Sequence, residues 1–390
     1  LKKPAQASIY MRYVFKKKLL LAAVLFIDSV GYFIKALTRL FFRRRLRPGT
    51  GKILLLRLDH IGDVVMSSSV LTPLRENFPD SRIDMLLPGV SAELLQRHNA
   101  LDSVLVFDAP WFKRGPEKAF FPIKKVLELA GIIRDGGYDI VVDLRGDLRH
   151  IAAMALSGTP RRIGYGITGG GFFLTDCPVY ERELHEAQLD LRLLSPLGIR
   201  KSGAKPEFAL SEDHIRQARD IKQRKGVFGD YAVIHPVPGD NDKSWSAENF
   251  AEITRYLRDI KRFLPVFVGT AGDIDTVHRI TATCGGGTVN LAGELYLGGS
   301  AAVISEAALF VGVDSGPAHI AGAASVPSVV LFSGTNESRR WAPRGKNVVT
   351  VSAGEGREMS LLTPDRVCSC INEVLSGAST EAEVGNEDRN

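Results

Sequence analysis

Short apolar runs alternate along this chain with longer stretches in which apolar residues recur every three or four positions. In the first half, Lys52-Ile53-Leu54-Leu55-Leu56-Arg57-Leu58 reads as a buried strand, and runs at 82–87, 103–107, 138–142 and 161–165 repeat the pattern. Helical periodicity fills 64–77, 91–98, 120–135 and 147–157 between them, followed by a helical stretch at 184–197. In the second half the pattern predicts strands at 231–235, 263–268, 288–291, 308–313 and 327–332. Helices are expected there at 212–225, 246–260, 272–283, 298–307 and 363–375. Such alternation predicts an α/β protein of parallel sheets covered by helices. Two blocks of it predict two Rossmann-like domains, 51–205 and 206–376, with a cleft at their strand ends where ligands of such sheets bind. Residues 377–390 are polar and patternless and read as a disordered tail.

The most sharply patterned unit is Leu309 to Phe332, which reads strand, tight turn, helix, strand. Asp314-Ser315-Gly316 breaks the apolar run. Pro317 suits the first helical turn, where its missing N–H would have no partner. Asp314 or Ser315 can serve as N-cap, and Gly316 lets a ligand approach the backbone. Free N–H groups at such a start favour an anion, most usefully a phosphate, and His319 lies in the same turn. An ordinary capped helix would use the same residues.

The amino-terminal fifty residues break the pattern. Residues 19–42 are strongly apolar, between Lys16-Lys17-Lys18 and Arg43-Arg44-Arg45, but Asp28, Lys35 and Arg39 interrupt them. Charges are costly in a spanning helix. An amphipathic helix in the cytoplasmic interface, with basic flanks on anionic lipid, accommodates them better, and the alternatives are a single membrane anchor or a soluble packing helix. Residues 1–50 hold twelve Lys/Arg and one acid, a net +11, so the chain's net +6 leaves the other residues at −5. The basic balance therefore belongs to this arm (1–50), and a mildly acidic body argues against nucleic-acid binding. The four cysteines form no C-x-x-C pair, which fits a reduced cytosolic chain without structural zinc.

Candidate chemistry sits at the expected strand ends. Asp59-His60-Ile61-Gly62-Asp63 follows the first strand and lacks the G-x-G-x-x-G of a dinucleotide site. Asp63 fits a general base for a sugar hydroxyl, with helix N-capping as the plain alternative. Asp143-Leu144-Arg145-Gly146-Asp147 ends another strand, so Asp59, Asp143 and Arg145 are candidates for the acceptor side. In the second half, Lys243 lies on the loop after His235, as a point charge suited to a diphosphate or as an ordinary exposed lysine. Asp273 opens a later helix, where it binds sugar hydroxyls or complements the helix dipole.

Three segments in order carry a resemblance: R-x-D-x-x-G-D at 57–63, H-P-x-x-x-x-x-x-K-x-W at 235–245 and G-V-D-S-G-P-A-H at 312–319. Each alone is weak, but together they resemble the heptosyltransferase family of lipopolysaccharide core assembly over roughly Lys52 to Arg344. That resemblance implies the GT-B architecture and an inverting transfer. It implies a nucleotide-diphospho-sugar donor, typically ADP-heptose, on the C-terminal domain, and a lipid A–core saccharide acceptor on the N-terminal one. Asp63 then matches the general base, Lys243 a donor-phosphate lysine, and Asp314, Ser315, Gly316 and His319 the donor loop. Asp273 lies where the family often has Glu near the donor ribose. The Pro-rich stretch from His235 to Lys243 departs from the family's small residues, which leaves the donor sugar and base open. No cofactor or metal is expected besides the donor, and the enzyme is expected to be peripheral on the inner face of the cytoplasmic membrane. Two rivals are weighed: a nucleotide-sugar epimerase or dinucleotide oxidoreductase, and a non-catalytic sugar-binding protein. The first lacks its glycine fingerprint at 59–63; the second has no need of Asp63, Lys243 and Asp314 together.

Overall fold

The structure, a computed structural model, describes residues 18–41, 51–112, 122–200, 203–239, 244–334, 336–354, 356 and 358–377. Lys16, Lys17 and Arg43 to Arg45 beside the amino-terminal helix, Lys243 and the tail from 378 onward lie outside these residues. The chain divides into two units, Leu1–Pro206 and Glu207–Asn390.

In the first unit, helix α1 (Lys18–Phe41) precedes five strands: β1 (Lys52–Leu56), β2 (Arg82–Leu87), β3 (Ser103–Val106), β4 (Ile140–Asp143) and β5 (Arg161–Gly164). Helices α2 (Ile61–Ser67), α3 (Leu71–Asn77), α4 (Gly89–Leu95), α5 (Ile123–Gly136), α6 (Leu148–Leu156) and α7 (Glu186–Arg192) connect and cover them. The strands are parallel in the order β3-β2-β1-β4-β5. Four of the five residues of β1 are buried, as a central strand covered on both faces requires. Leu54, Leu56, Leu86 and Val141 pack with Leu129, Ile133 and Met154 of the helices into one core.

The second unit repeats the logic with six parallel strands in the order β11-β10-β9-β6-β7-β8. They are β6 (Tyr231–His235), β7 (Leu264–Phe267), β8 (Val289–Asn290), β9 (Leu309–Val313), β10 (Ser328–Phe332) and β11 (Val348–Ser352). Helices α8 (Glu212–Lys225), α9 (Ala247–Arg255), α10 (Ile274–Thr283), α11 (Leu297–Ser305), α12 (Gly316–Ala323), α13 (Ser338–Trp341) and α14 (Pro364–Leu375) surround the sheet. At Gly312 a side chain would bring its Cβ to 2.8 Å from the carbonyl oxygen of His235, so glycine lets β9 lie against the end of β6.

Several boundaries differ from the sequence expectation. The helix expected over 64–77 is α2 and α3 joined by a 3-10 turn at Ser68–Val70. The stretch 184–197 shortens to α7 and a 3-10 turn whose second residue is Pro196, which cannot donate to a continuing helix. Edge strand β11 was not anticipated. Among the described residues, no helix is long and apolar enough to cross a membrane.

In both sheets the strand order reverses once, between β1 and β4 in the first and between β6 and β9 in the second. Crossovers leave each sheet in opposite directions at that point, which opens a crevice at the carboxyl ends of the two strands. Asp59, Asp63, Asp143 and Arg145 follow or end strands of the first reversal, and Asp314, Ser315, Gly316 and His319 follow β9 at the second, whereas Asp273 follows β7.

Candidate active site

At the β1–β4 reversal the organising residue is Arg57, whose side chain is almost wholly buried. Its Nε lies 2.9 Å from Asp59 Oδ1, its Nη2 3.1 Å from Asp63 Oδ1 and its Nη1 3.3 Å from Asp190 Oδ1. Nη1 also donates to the Leu144 carbonyl. Arg145, from the turn after β4, reaches across to Asp59 Oδ2 at 2.5 Å and lies 4.0 Å from Asp63 Oδ2. Asp59 is thus held from both strands. Asp63 sits in the first turn of α2, and the N-cap there is the extended His60, so N-capping is not its role.

The cluster holds three carboxylates, Asp59, Asp63 and Asp190, against two guanidiniums. Burial in so dry a place disfavours the charged form of Asp190. Burial pushes Asp190 up to about 7, against the opposing pull of Arg57 and of the Ser67 hydroxyl, which donates to its Oδ2 at 2.7 Å. Burial alone would lower Arg57, but the carboxylates around it win and hold it above its ordinary value.

Asp143 lies elsewhere than expected. It is fully buried, and its oxygens accept from the N–H groups of Arg145, Gly146 and Asp147 at 3.2, 3.0 and 3.0 Å. Its Oδ1 also meets His150 Nδ1 at 2.9 Å. These contacts use its acceptor capacity to hold the turn that presents Arg145, so Asp143 is a support beneath the surface and does not face an acceptor. Burial would lower His150, yet the charge and hydrogen bond of Asp143, with the charges of Asp147 and Asp59, together outweigh it and raise the imidazole above its usual value. The N-cap of α6 is Asp147, whose Oδ1 accepts from Arg149 N at 2.9 Å.

At the β6–β9 reversal, Ser315 joins the two strands. Its hydroxyl donates to Val313 O at 2.9 Å and meets His235 Nδ1 at 3.1 Å. A hydroxyl has one proton, and a carbonyl can only accept. His235 Nδ1 therefore carries the hydrogen toward Ser315, leaving Nε2 as the acceptor nitrogen. Burial pushes His235 down to about 4, so the ring is neutral at physiological pH despite the nearby Asp273 charge. With its hydroxyl so engaged, Ser315 is the extended N-cap of α12 but its side chain caps no N–H. Pro317 has no N–H and Ala318 N donates back to Ser315 O at 3.1 Å, so the start of α12 offers an anion the Gly316 N–H and the positive end of the helix dipole.

Asp314 is buried and accepts from Asn336 Nδ2 at 2.5 Å, and His319 is buried in the first turn of α12. Asp314, Ser315, Gly316 and His319 are therefore brought together, as expected. Asp273 is partly exposed, and one of its oxygens accepts from the Thr270 N–H at 2.7 Å and hydroxyl at 2.8 Å, fastening its own turn. Trp245, the last residue of the second motif, is a core residue whose Nε1 donates to Leu362 O at 2.8 Å.

Sequence reasoning assigned no role to Arg57, Asp190, His235 or Asn336. Arg57 and His235 stand within two of the quoted motifs, which was a usable signal; Asp190 and Asn336 had none. Asp240-Asn241-Asp242 is a D-x-D triplet, which bears on the expectation of no metal, and it lies outside the described residues.

Comparison with known proteins places these geometries. Residues 126–368, well over half of the chain, match the family described as glycosyltransferase family 9 (heptosyltransferase). The matched stretch begins in α5 and so leaves Asp63 outside it. The chain is 29% identical over 311 residues to lipopolysaccharide heptosyltransferase 3 of Escherichia coli K12, covering 76% of this chain and 87% of that protein. Among solved structures it resembles a family 9 glycosyl transferase from Veillonella parvula, with a TM-score of 0.73 and 20% identity over 85% of this chain and 99% of the other. It also resembles the E. coli ADP-heptose heptosyltransferase II, with a TM-score of 0.69 and 22% identity over 84% and 99% of the two chains. The fold is the two-sheet α/β fold of these heptosyltransferases, as the resemblance implied. The chain belongs to glycosyltransferase family 9, the heptosyltransferases, and is a transferase enzyme.

Proposed function

We propose that the enzyme transfers heptose from ADP-heptose, with inversion, onto a saccharide of the lipopolysaccharide core carried at the cytoplasmic face of the membrane. In this reading Asp63 takes the proton of the acceptor hydroxyl as its oxygen attacks the anomeric carbon, and the bond to the nucleotide diphosphate breaks. The charge that develops on the leaving diphosphate is met by the Gly316 N–H and helix dipole at the start of α12 and by Lys243. Asp59 and Arg145 hold the acceptor side. Asp273 is assigned to the donor ribose on resemblance alone.

The observation that carries the reading is the Ser315–His235 bridge at the β6–β9 reversal. It turns the Ser315 hydroxyl away from α12 and leaves an uncapped helix start at a crevice. The names of its relatives supply the heptose and the lipopolysaccharide core. We read the transfer as metal-independent, with Lys243 and the start of α12 doing the neutralising.

A thermal-shift panel of ADP-, GDP-, UDP- and dTDP-sugars tests the donor. ADP-heptose should raise the melting temperature most, and Lys243→Ala should weaken ADP binding in calorimetry. A larger shift with another nucleotide would move the enzyme to a different surface glycan. Turnover that survives dialysis against EDTA supports metal independence, and its loss, restored by a divalent cation, would count against it.

A further inference from the structure

Helix α1 carries two faces of opposite character. Its inner face is built to fit the glycine-rich loop after β5. Asp28, only 3% exposed, accepts from Gly170 N at 2.8 Å, and Lys35 Nζ donates to Leu174 O at 2.6 Å. The fit is reciprocal. A Cβ on Gly31 of the helix would lie 2.4 Å from the Phe172 ring, and one on Gly169 of the loop would lie 2.8 Å from Val24 Cγ1. Glycine inside a helix is disfavoured against alanine, so Gly31 reads as room made for that ring. Asp28 and Lys35, which looked like interruptions of an apolar stretch, are turned into the protein.

The outer face is the complement. Phe26 and Phe33 are 73% and 66% exposed, and Ile27, Val30 and Ile34 beside them are exposed too. Their spacing puts all five on one side of the helix.

We propose that this outer face of α1 lies in the interfacial layer of an anionic bilayer while the inner face clamps the helix to the loop over Gly166–Leu174. The proposal rests on the reading of a membrane-linked acceptor and adds the face and the orientation. Charge selects the occupant. The first fifty residues hold twelve Lys/Arg and one acid, and that acid is Asp28, buried against Gly170. The arm therefore offers no exposed carboxylate, which favours anionic headgroups and opposes pairing with an equally basic second copy.

The loop so clamped is tied to the acceptor-side cluster. Thr168 Oγ1 donates to Gly146 O at 2.9 Å and accepts from Leu148 N at 2.7 Å, next to Arg145. Docking by this face would set the acceptor-side cluster of the first unit at a fixed place beside the bilayer.

The test is cosedimentation of the full chain with vesicles of phosphatidylglycerol and phosphatidylethanolamine, against vesicles of phosphatidylcholine alone. Wild type should bind the anionic vesicles preferentially. Phe26→Glu with Phe33→Glu, and the uncharged pair Phe26→Ser with Phe33→Ser, should each weaken binding roughly tenfold or more. Affinity for ADP should be unchanged in both. If wild type binds and both pairs bind equally well, the assigned face is wrong while the membrane-linked reading stands. If wild type binds neither vesicle, docking by the arm is overturned, and the donor panel still judges the transferase reading separately. A wild-type dimer that either pair makes monomeric, without vesicle binding, would overturn the proposal in favour of a second copy.

Discussion

The guanidinium of Arg57 meets the carboxylate of Asp63 at 3.1 Å, and neither side chain is more than a tenth exposed. The same guanidinium holds Asp59 and Asp190, so the position of Asp63 is set by a network reaching from β1 to α7. A proposed base fixed in this way is presented to an acceptor in one orientation, the condition for a near-attack geometry.

Arg57→Ala would leave three buried carboxylates with Arg145 as their remaining close cation. Breaking one side of a buried ion network typically costs about 3–5 kcal/mol, and urea unfolding of this variant should show a loss of that order. A midpoint close to wild type would mean that the cluster is solvated in a way its burial denies.

Asp190 gives the stability a pH signature. In the folded chain it keeps its proton up to about pH 7, whereas an unfolded aspartate releases it near 3.9. Between those values the folded state binds more protons, so the contribution is complete below about pH 4 and is lost as pH rises through 7. His235 acts in the opposite sense, because burial holds it near 4, below its ordinary 6.5. Its contribution is present above about pH 6.5 and is lost as pH falls through 4. Asp190→Asn should remove only the first effect. Its stability relative to wild type, from urea melts at pH 5, 6, 7 and 8, should rise across that range; a constant difference would contradict the assignment.

Gly146 has φ +76°, and a Cβ there would stand 2.6 Å from Tyr165 O. Gly146→Ala should cost about 1–3 kcal/mol through backbone strain alone, with the contact adding to it. An unchanged denaturation midpoint would show that the turn held by Asp143 tolerates another conformation.

The legible part of this protein was its local pattern. Ten of the eleven strands among the described residues were expected, most of them as apolar runs, and the turn at 314–316 declares a helix start through Pro317. The missed strand, β11, pairs among the described residues with β10, and Pro343 and Gly345 before its partly exposed Val-Val-Thr-Val-Ser run were a usable signal. The partners of the candidate residues were less legible, because they come from far along the chain. Asp190 is 133 residues from Arg57 and lies in a helix whose pattern gives no reason to single it out. Asp143 looked like a strand-end acid and became a buried staple, because three backbone N–H groups and an imidazole converge on it only once the turn has folded. Asp28 looked like a flaw in an apolar helix until Gly170, 142 residues away, supplied its partner.

The claim at the centre of this account is that Asp63 accepts the acceptor's proton while the donor is held by residues of the second unit. The measurement that tests it most directly is turnover of Asp63→Asn at saturating ADP-heptose, with ADP affinity determined by calorimetry on the same preparation. General-base catalysis contributes roughly 10²–10⁴-fold, so turnover should fall by about that factor while ADP affinity stays at the wild-type value. Near-normal turnover in a normally folded Asp63→Asn enzyme would contradict the assignment.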